Sequence, residues 1–129
     1  MSLDLKYLFF SVVLTFVQML IAVSAATLAV GLPALAGNRE GLPEATGFCW
    51  RAKRAHLNMI ENMVLFTALV LIAAIAGKAN ATTAMGALIF FWARIVYALI
   101  FLLGIPWLRT GAWTVSVIGM VMIAVQIFP

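Results

Sequence analysis

Hydrophobic positions fall in four long runs, and most of the charged residues lie in the gaps between them or in one stripe at the head of the second. The first run, from Tyr7 to Val30, carries no charge and is long enough to cross a bilayer with some tilt. It predicts a helix over about 5–30. Val23-Ser-Ala-Ala26 also resembles a signal-peptide cleavage site. The leader is nonetheless weak, with Asp4 and Lys6 cancelling, and the run is too long for a signal core, so the first helix is expected to remain. In the connection 31–50, Gly31, Pro33, Gly37, Gly41, Pro43 and Gly47 break any helix, and an irregular loop outside the hydrocarbon is expected. No Gly or Pro interrupts 51–76, which reads as one continuous helix of good helix formers. A turn at Gly77-Lys-Ala-Asn80 leads to a third helix over about 81–103, ended by Gly104-Ile-Pro106. Trp107-Leu-Arg-Thr110 reads as a short turn with an interfacial Trp, and the fourth helix covers about 111–128.

Composition turns this pattern into a class. With 66% hydrophobic and 9% charged residues in 129, the chain is far outside the soluble range. The expected fold is all-α: one domain, 1–129, an integral membrane four-helix bundle with four spans per protomer. A net charge of +4 could suggest nucleic acid, but Arg39, Arg51, Lys53 and Arg54 lie between two apolar runs. Membrane lipid headgroups or a small anion are the partners that placement implies, and nucleic acid is not. The single Cys49 excludes an intrachain disulfide and a cysteine metal cluster. Four spans put both termini on one side. Arg39, Arg51, Lys53, Arg54 and Arg109 share the other side, against Lys6 and Lys78, so the positive-inside rule makes the basic loops cytoplasmic.

Arg51-Ala-Lys-Arg-Ala-His-Leu-Asn-Met-Ile-Glu-Asn62 heads the second span, and Arg51, Arg54, Asn58, Glu61 and Asn62 fall within about a third of the helix circumference, with His56 pointing elsewhere. In the third span Arg94 is the one charge, with Tyr97 and Phe101 on its face. A buried arginine there costs about 2.5–3.5 kcal/mol, so it needs a partner or a watery cavity. Glu61 is the only acid in these middle spans, and a Glu61–Arg94 ion pair with no further role is the simplest arrangement. It leaves Arg51, Arg54 and Arg109 in surplus. Guanidiniums bind carboxylates bidentately, so guanidiniums around one acid favour a peptide-like zwitterion with additional carboxylates. No Cys–His pair, Ser–His–Asp set or metal-ligand spacing is present, so no metal is expected and the bound molecule must bring its own reactive group.

Arg51-x-x-Arg54-Ala-His56-x-Asn58-x-x-Glu61-Asn62, followed by Ala93-Arg-Ile-Val-Tyr97 and Leu108-Arg-Thr110 in the same order, resembles the MAPEG family, the membrane-associated proteins in eicosanoid and glutathione metabolism. The resemblance spans nearly the whole chain. It implies a homotrimer that holds glutathione, as co-substrate, between protomers on the cytoplasmic side of a bacterial inner membrane. It implies glutathione-binding roles for Arg51, Arg54, His56, Asn58, Glu61, Asn62, Arg94, Tyr97 and Thr110, with Glu61 at the ammonium and Arg109 as the catalytic group beside the thiol. Activity would be that of a detoxifying glutathione transferase or peroxidase acting on a hydrophobic electrophile from the bilayer. One departure stands out: Phe101 occupies the place where several relatives carry a thiol-bonding tyrosine, which leaves activation to Arg109. A non-catalytic lipid- or partner-binding trimer on the same scaffold is the alternative. A small proton-coupled exporter would need an acid in the middle of the first span, and none is there.

Overall fold

A computed structural model describing all 129 residues is helical throughout, with no strand. Its elements are α1 (Leu3–Val30), α2 (Leu32–Ala36), α3 (Gly47–Ile75), α4 (Ala81–Leu103) and α5 (Pro106–Ile127). Only α2 is too short to cross a membrane. The outer surface is apolar. Phe9, Phe10, Val12, Val13, Phe16 and Val17 are all exposed on α1, while Asp4, Ser11 and Gln18 are buried on its inner face. That inversion is what lipid demands: greasy side chains face the tails, and polar ones are used between helices. The protein is a multi-pass membrane protein.

Three boundaries differ from the sequence expectation. The second span begins at Gly47 rather than near residue 51, because Phe48, Cys49 and Trp50 continue the helix. The 31–50 connection is not wholly irregular, since it opens with the five-residue helix α2, Pro33 lying in its first turn. The fourth span begins at Pro106, so Trp107–Thr110 is the first turn of α5 and not a separate turn. Proline is favoured at the start of a helix, where its missing N–H has no partner to lose, so Pro106 starts a helix here.

The third span matches its expected limits because both ends carry strong local signals. Asn80 Oδ1 accepts from the backbone N–H of Thr82 at 2.8 Å and Thr83 at 3.1 Å, and Thr83 Oγ1 accepts from Asn80 N–H at 2.8 Å. This reciprocal cap satisfies donors that the helix start leaves free. At the other end Gly104 takes the left-handed conformation (φ 78°, ψ 29°), and Ile105 N–H donates back to the Ile100 carbonyl at 3.2 Å.

The bundle is a four-cornered packing in which α1 and α5 occupy opposite corners without touching, and α3 and α4 meet across the middle. Phe66 of α3 and Phe90 of α4 stack at 3.8 Å between centroids, with Met59, Met63, Val70 and Ile123 fully or nearly buried around them. α4 and α5 are the most closely packed pair because glycines meet at the crossing. A Cβ on Gly86 would lie 2.5 Å from the Gly119 carbonyl oxygen, and one on Gly119 2.6 Å from that of Gly86. Close backbone approach at small residues is how membrane helices gain packing energy. Gly86→Leu should therefore separate α4 from α5 and destabilise the protein by about 1–3 kcal/mol. Melting in detergent checks this, and an unchanged midpoint would contradict it.

At one end of the bundle, Asp4 accepts a hydrogen bond from Thr83 Oγ1, and Asn80 Nδ2 donates to Gln126 Oε1 at 2.8 Å. The starts of α1 and α4 and the end of α5 thus lie together, so both termini share one face, as four crossings require. The other end gathers the basic residues.

Candidate functional site

At this basic end, α3, α4 and α5 each turn polar side chains toward a common hollow. Trp50 and Arg54 of α3, Tyr97 and Phe101 of α4 and Arg109 of α5 line an open cavity of about 420 Å³. A smaller one of about 160 Å³ is lined by Asn58, Tyr97, Arg109, Thr110 and Trp113. Tyr97 and Arg109 belong to both, which makes them two lobes of one recess. Residues 50, 54 and 58 recur every four positions, so α3 presents them as one row. Arg109 and Trp113 repeat that spacing on α5, whereas Arg109 would lie in a turn had α5 begun near residue 111.

Aromatic rings set Arg109 in the recess wall and Arg94 behind it. The Arg109 guanidinium lies over the Phe101 ring at 4.8 Å, and that of Arg94 over Tyr97 at 4.2 Å. Tyr97 and Phe101 are themselves 5.7 Å apart, one turn along the same face. Cation–π contact fixes a flat guanidinium without consuming its hydrogen-bond donors. Arg109 is thereby held at the recess with its N–H groups still available to a ligand.

Arg94 is 1% exposed, and its Nη2 donates to Asn58 Oδ1 at 2.7 Å. Its Nε and Nη1 are buried with no partner. The Glu61–Arg94 ion pair weighed from the sequence does not form: an amide oxygen, not a carboxylate, receives the guanidinium, and Glu61 is exposed. Glu61 lies about 60° round α3 from Asn58 and about 20° from Arg54, on the same side of the helix but about two turns further along it than Arg54.

The other sequence-predicted residues divide as follows. Arg54, Asn58, Tyr97, Arg109 and Thr110 line the recess. Asn62 is 8% exposed, and its Nδ2 donates to the Asn58 carbonyl at 2.8 Å and to Asn58 Oδ1 at 3.2 Å. Arg51 does not line the recess; its Nε donates to the Leu102 carbonyl at 3.1 Å, satisfying a free acceptor at the end of α4. His56 is half-buried and Glu61 exposed, and neither lines the recess within one chain. Trp50 and Trp113 were missed by the sequence reading. Their spacing of four from Arg54 and Arg109 was the available signal.

Chemically, the recess offers two guanidiniums, an amide, a phenol and a hydroxyl beside aromatic walls, and no group of three or more His, Cys, Asp or Glu that could hold a metal. It can bind an anion and stabilise a developing negative charge. It holds no nucleophile of its own, since Cys49 lies instead in an apolar groove against α1.

No curated protein matches the chain. The model of the MAPEG family matches residues 5–128, almost the whole length. With this match and four helices long and apolar enough to cross a membrane, the chain belongs to the MAPEG family.

Proposed function

We propose that the protein is a membrane glutathione transferase that binds glutathione in the recess and activates its thiol for attack on hydrophobic electrophiles entering from the bilayer. One observation carries the reading: Arg54 of α3 and Arg109 of α5, distant in sequence, line a single cavity with Tyr97 between them. Two guanidiniums without paired carboxylates match the two carboxylates of glutathione, and a cavity of about 420 Å³ is within the usual range of roughly 300–1,000 Å³ for small-molecule sites. Family membership supports glutathione-related chemistry in a membrane.

In this mechanism the protein binds and polarises, and the ligand supplies the sulfur. A thiol titrates near 8.5, and a neighbouring guanidinium favours the thiolate. Arg109, stacked on Phe101, stands beside the sulfur, and the thiol proton leaves to water. The thiolate forms a C–S bond as the C–halogen bond of the electrophile breaks and halide departs. With a hydroperoxide it would attack the peroxide oxygen, giving an alcohol and glutathione sulfenic acid, which a second glutathione reduces to the disulfide with loss of water.

Glu61 enters the proposal through assembly. An exposed carboxylate with no partner in its own chain is costly to leave in lipid on a membrane helix. A homotrimer covers it and lets it receive the glutathione ammonium from the neighbouring protomer. The excess of basic residues at this end supports a recess on the cytoplasmic side.

Purified protein in detergent should bind glutathione by calorimetry and conjugate it to 1-chloro-2,4-dinitrobenzene. A wild type that neither binds glutathione nor turns over a panel of electrophiles and hydroperoxides sinks the proposal. Stabilisation by lipid alone, unaffected by Arg109→Ala, would instead identify a non-catalytic lipid-binding member.

A further inference from the structure

The bonds around Asn58 decide which end of its amide a ligand meets. A guanidinium has only donors, so the atom 2.7 Å from Arg94 Nη2 must be the amide oxygen. Asn62 Nδ2 reaches the same oxygen at 3.2 Å while anchored on the Asn58 backbone carbonyl at 2.8 Å. Both lone pairs of Oδ1 are therefore engaged from the protein side. Asn58 lines the recess with Tyr97, Arg109 and Thr110, and its NH2 group is the half of the amide left without a protein partner.

We infer that Arg94 and Asn62 are positioning residues, not glutathione ligands: they lock Asn58 so that it offers only donors, and Asn58 Nδ2 donates to a carboxylate or carbonyl oxygen of the bound tripeptide. This deepens the glutathione reading and rests on it. Three features set Arg94 apart from a direct ligand. It is 1% exposed, it lines neither lobe of the recess, and its guanidinium is pinned between the Asn58 amide and the face of Tyr97. Its two remaining buried nitrogens are unpartnered, an arrangement that packing alone does not reward. An Asn able to flip could satisfy either polarity, whereas the locked one selects oxygen over ammonium at that point in the recess.

The test is a double-mutant cycle on glutathione affinity, read by calorimetry in detergent. Asn58→Ala and Arg94→Met should each weaken binding about tenfold, and the double variant should also lose about tenfold, not a hundredfold, because both remove the same hydrogen bond to ligand. Asn62→Leu should lose less, since one donor still holds the amide. Melting of the ligand-free protein supplies the second readout: Arg94→Met should not lower the midpoint, because it removes a buried, under-satisfied charge. Additive losses in the cycle, or unchanged affinity in Arg94→Met, would overturn the positioning role while leaving glutathione binding intact. A lower midpoint in Arg94→Met would overturn it too, marking that residue as structural. A wild type without glutathione affinity would remove the functional reading and this inference together.

Discussion

Arg109→Ala should lower glutathione conjugation by about 10²–10³-fold while weakening glutathione binding far less, the loss expected when a preorganised group that stabilises developing negative charge is removed. The separation between rate and affinity follows from the wall around Arg109. Arg54 and Asn58 remain to hold the tripeptide, whereas the recess contains no other cation on α5. Phe101 beneath the guanidinium cannot substitute, because it has no hydroxyl to donate. The variant also has a pH signature. A guanidinium beside the thiol favours the charged thiolate, so it lowers the thiol's pKa and moves the acidic limb of the pH–rate curve down. Removing it should shift that limb up toward about 8.5. Part of the lost rate should then return on raising the pH. Stopped-flow rates across pH 6–10 check this. A uniform fall with no shift of the limb would mean that Arg109 only orients the ligand.

How much of this was legible in the chain can be argued residue by residue. The four spans were, because uninterrupted apolar length is a signal that tertiary context in a membrane rarely overrides. The limits of α4 were legible too, fixed by Asn80 and Gly104, whose backbone roles are local. The starts of α3 and α5 were not. Polar residues beginning at Arg51 look like a helix end, but a helix can emerge from lipid and continue, as Phe48–Trp50 do. Pro106 reads as a stop in the sequence, but its position makes it a start. That second misreading hid Trp113, since the 109–113 spacing has meaning only inside a helix. On α3 the row of Arg54 and Asn58 could be read from period alone. The partner of Arg94 could not: Asn58 and Glu61 are both within a turn, and only the relative rotation of α3 and α4 selects the amide over the acid. Charge complementarity pointed to Glu61, and geometry chose otherwise.

Because Glu61 is exposed and lines neither lobe of the recess that Arg54 and Arg109 share, the shared-site proposal makes a demand that a single-chain site does not. Glu61→Gln and Arg109→Ala should each be nearly inactive as pure assemblies, the first through lost glutathione affinity and the second through lost rate. Coexpressed, they should recover activity. In a closed ring of three, any mixed assembly contains one interface where an intact Arg109 meets an intact Glu61 from the neighbour. Random mixing in equal amounts gives about three-quarters mixed rings with one good site in three, so about a quarter of wild-type activity should return. Tandem affinity tags, one on each variant, would isolate the mixed rings and raise that fraction to about a third. A single-chain site predicts no recovery at any ratio, since every protomer then carries one defect. Failure to recover in tag-purified mixed assemblies would thus place Glu61 and Arg109 in the same protomer's site, or remove Glu61 from the site altogether, and the two are separated by whether Glu61→Gln alone weakens glutathione binding.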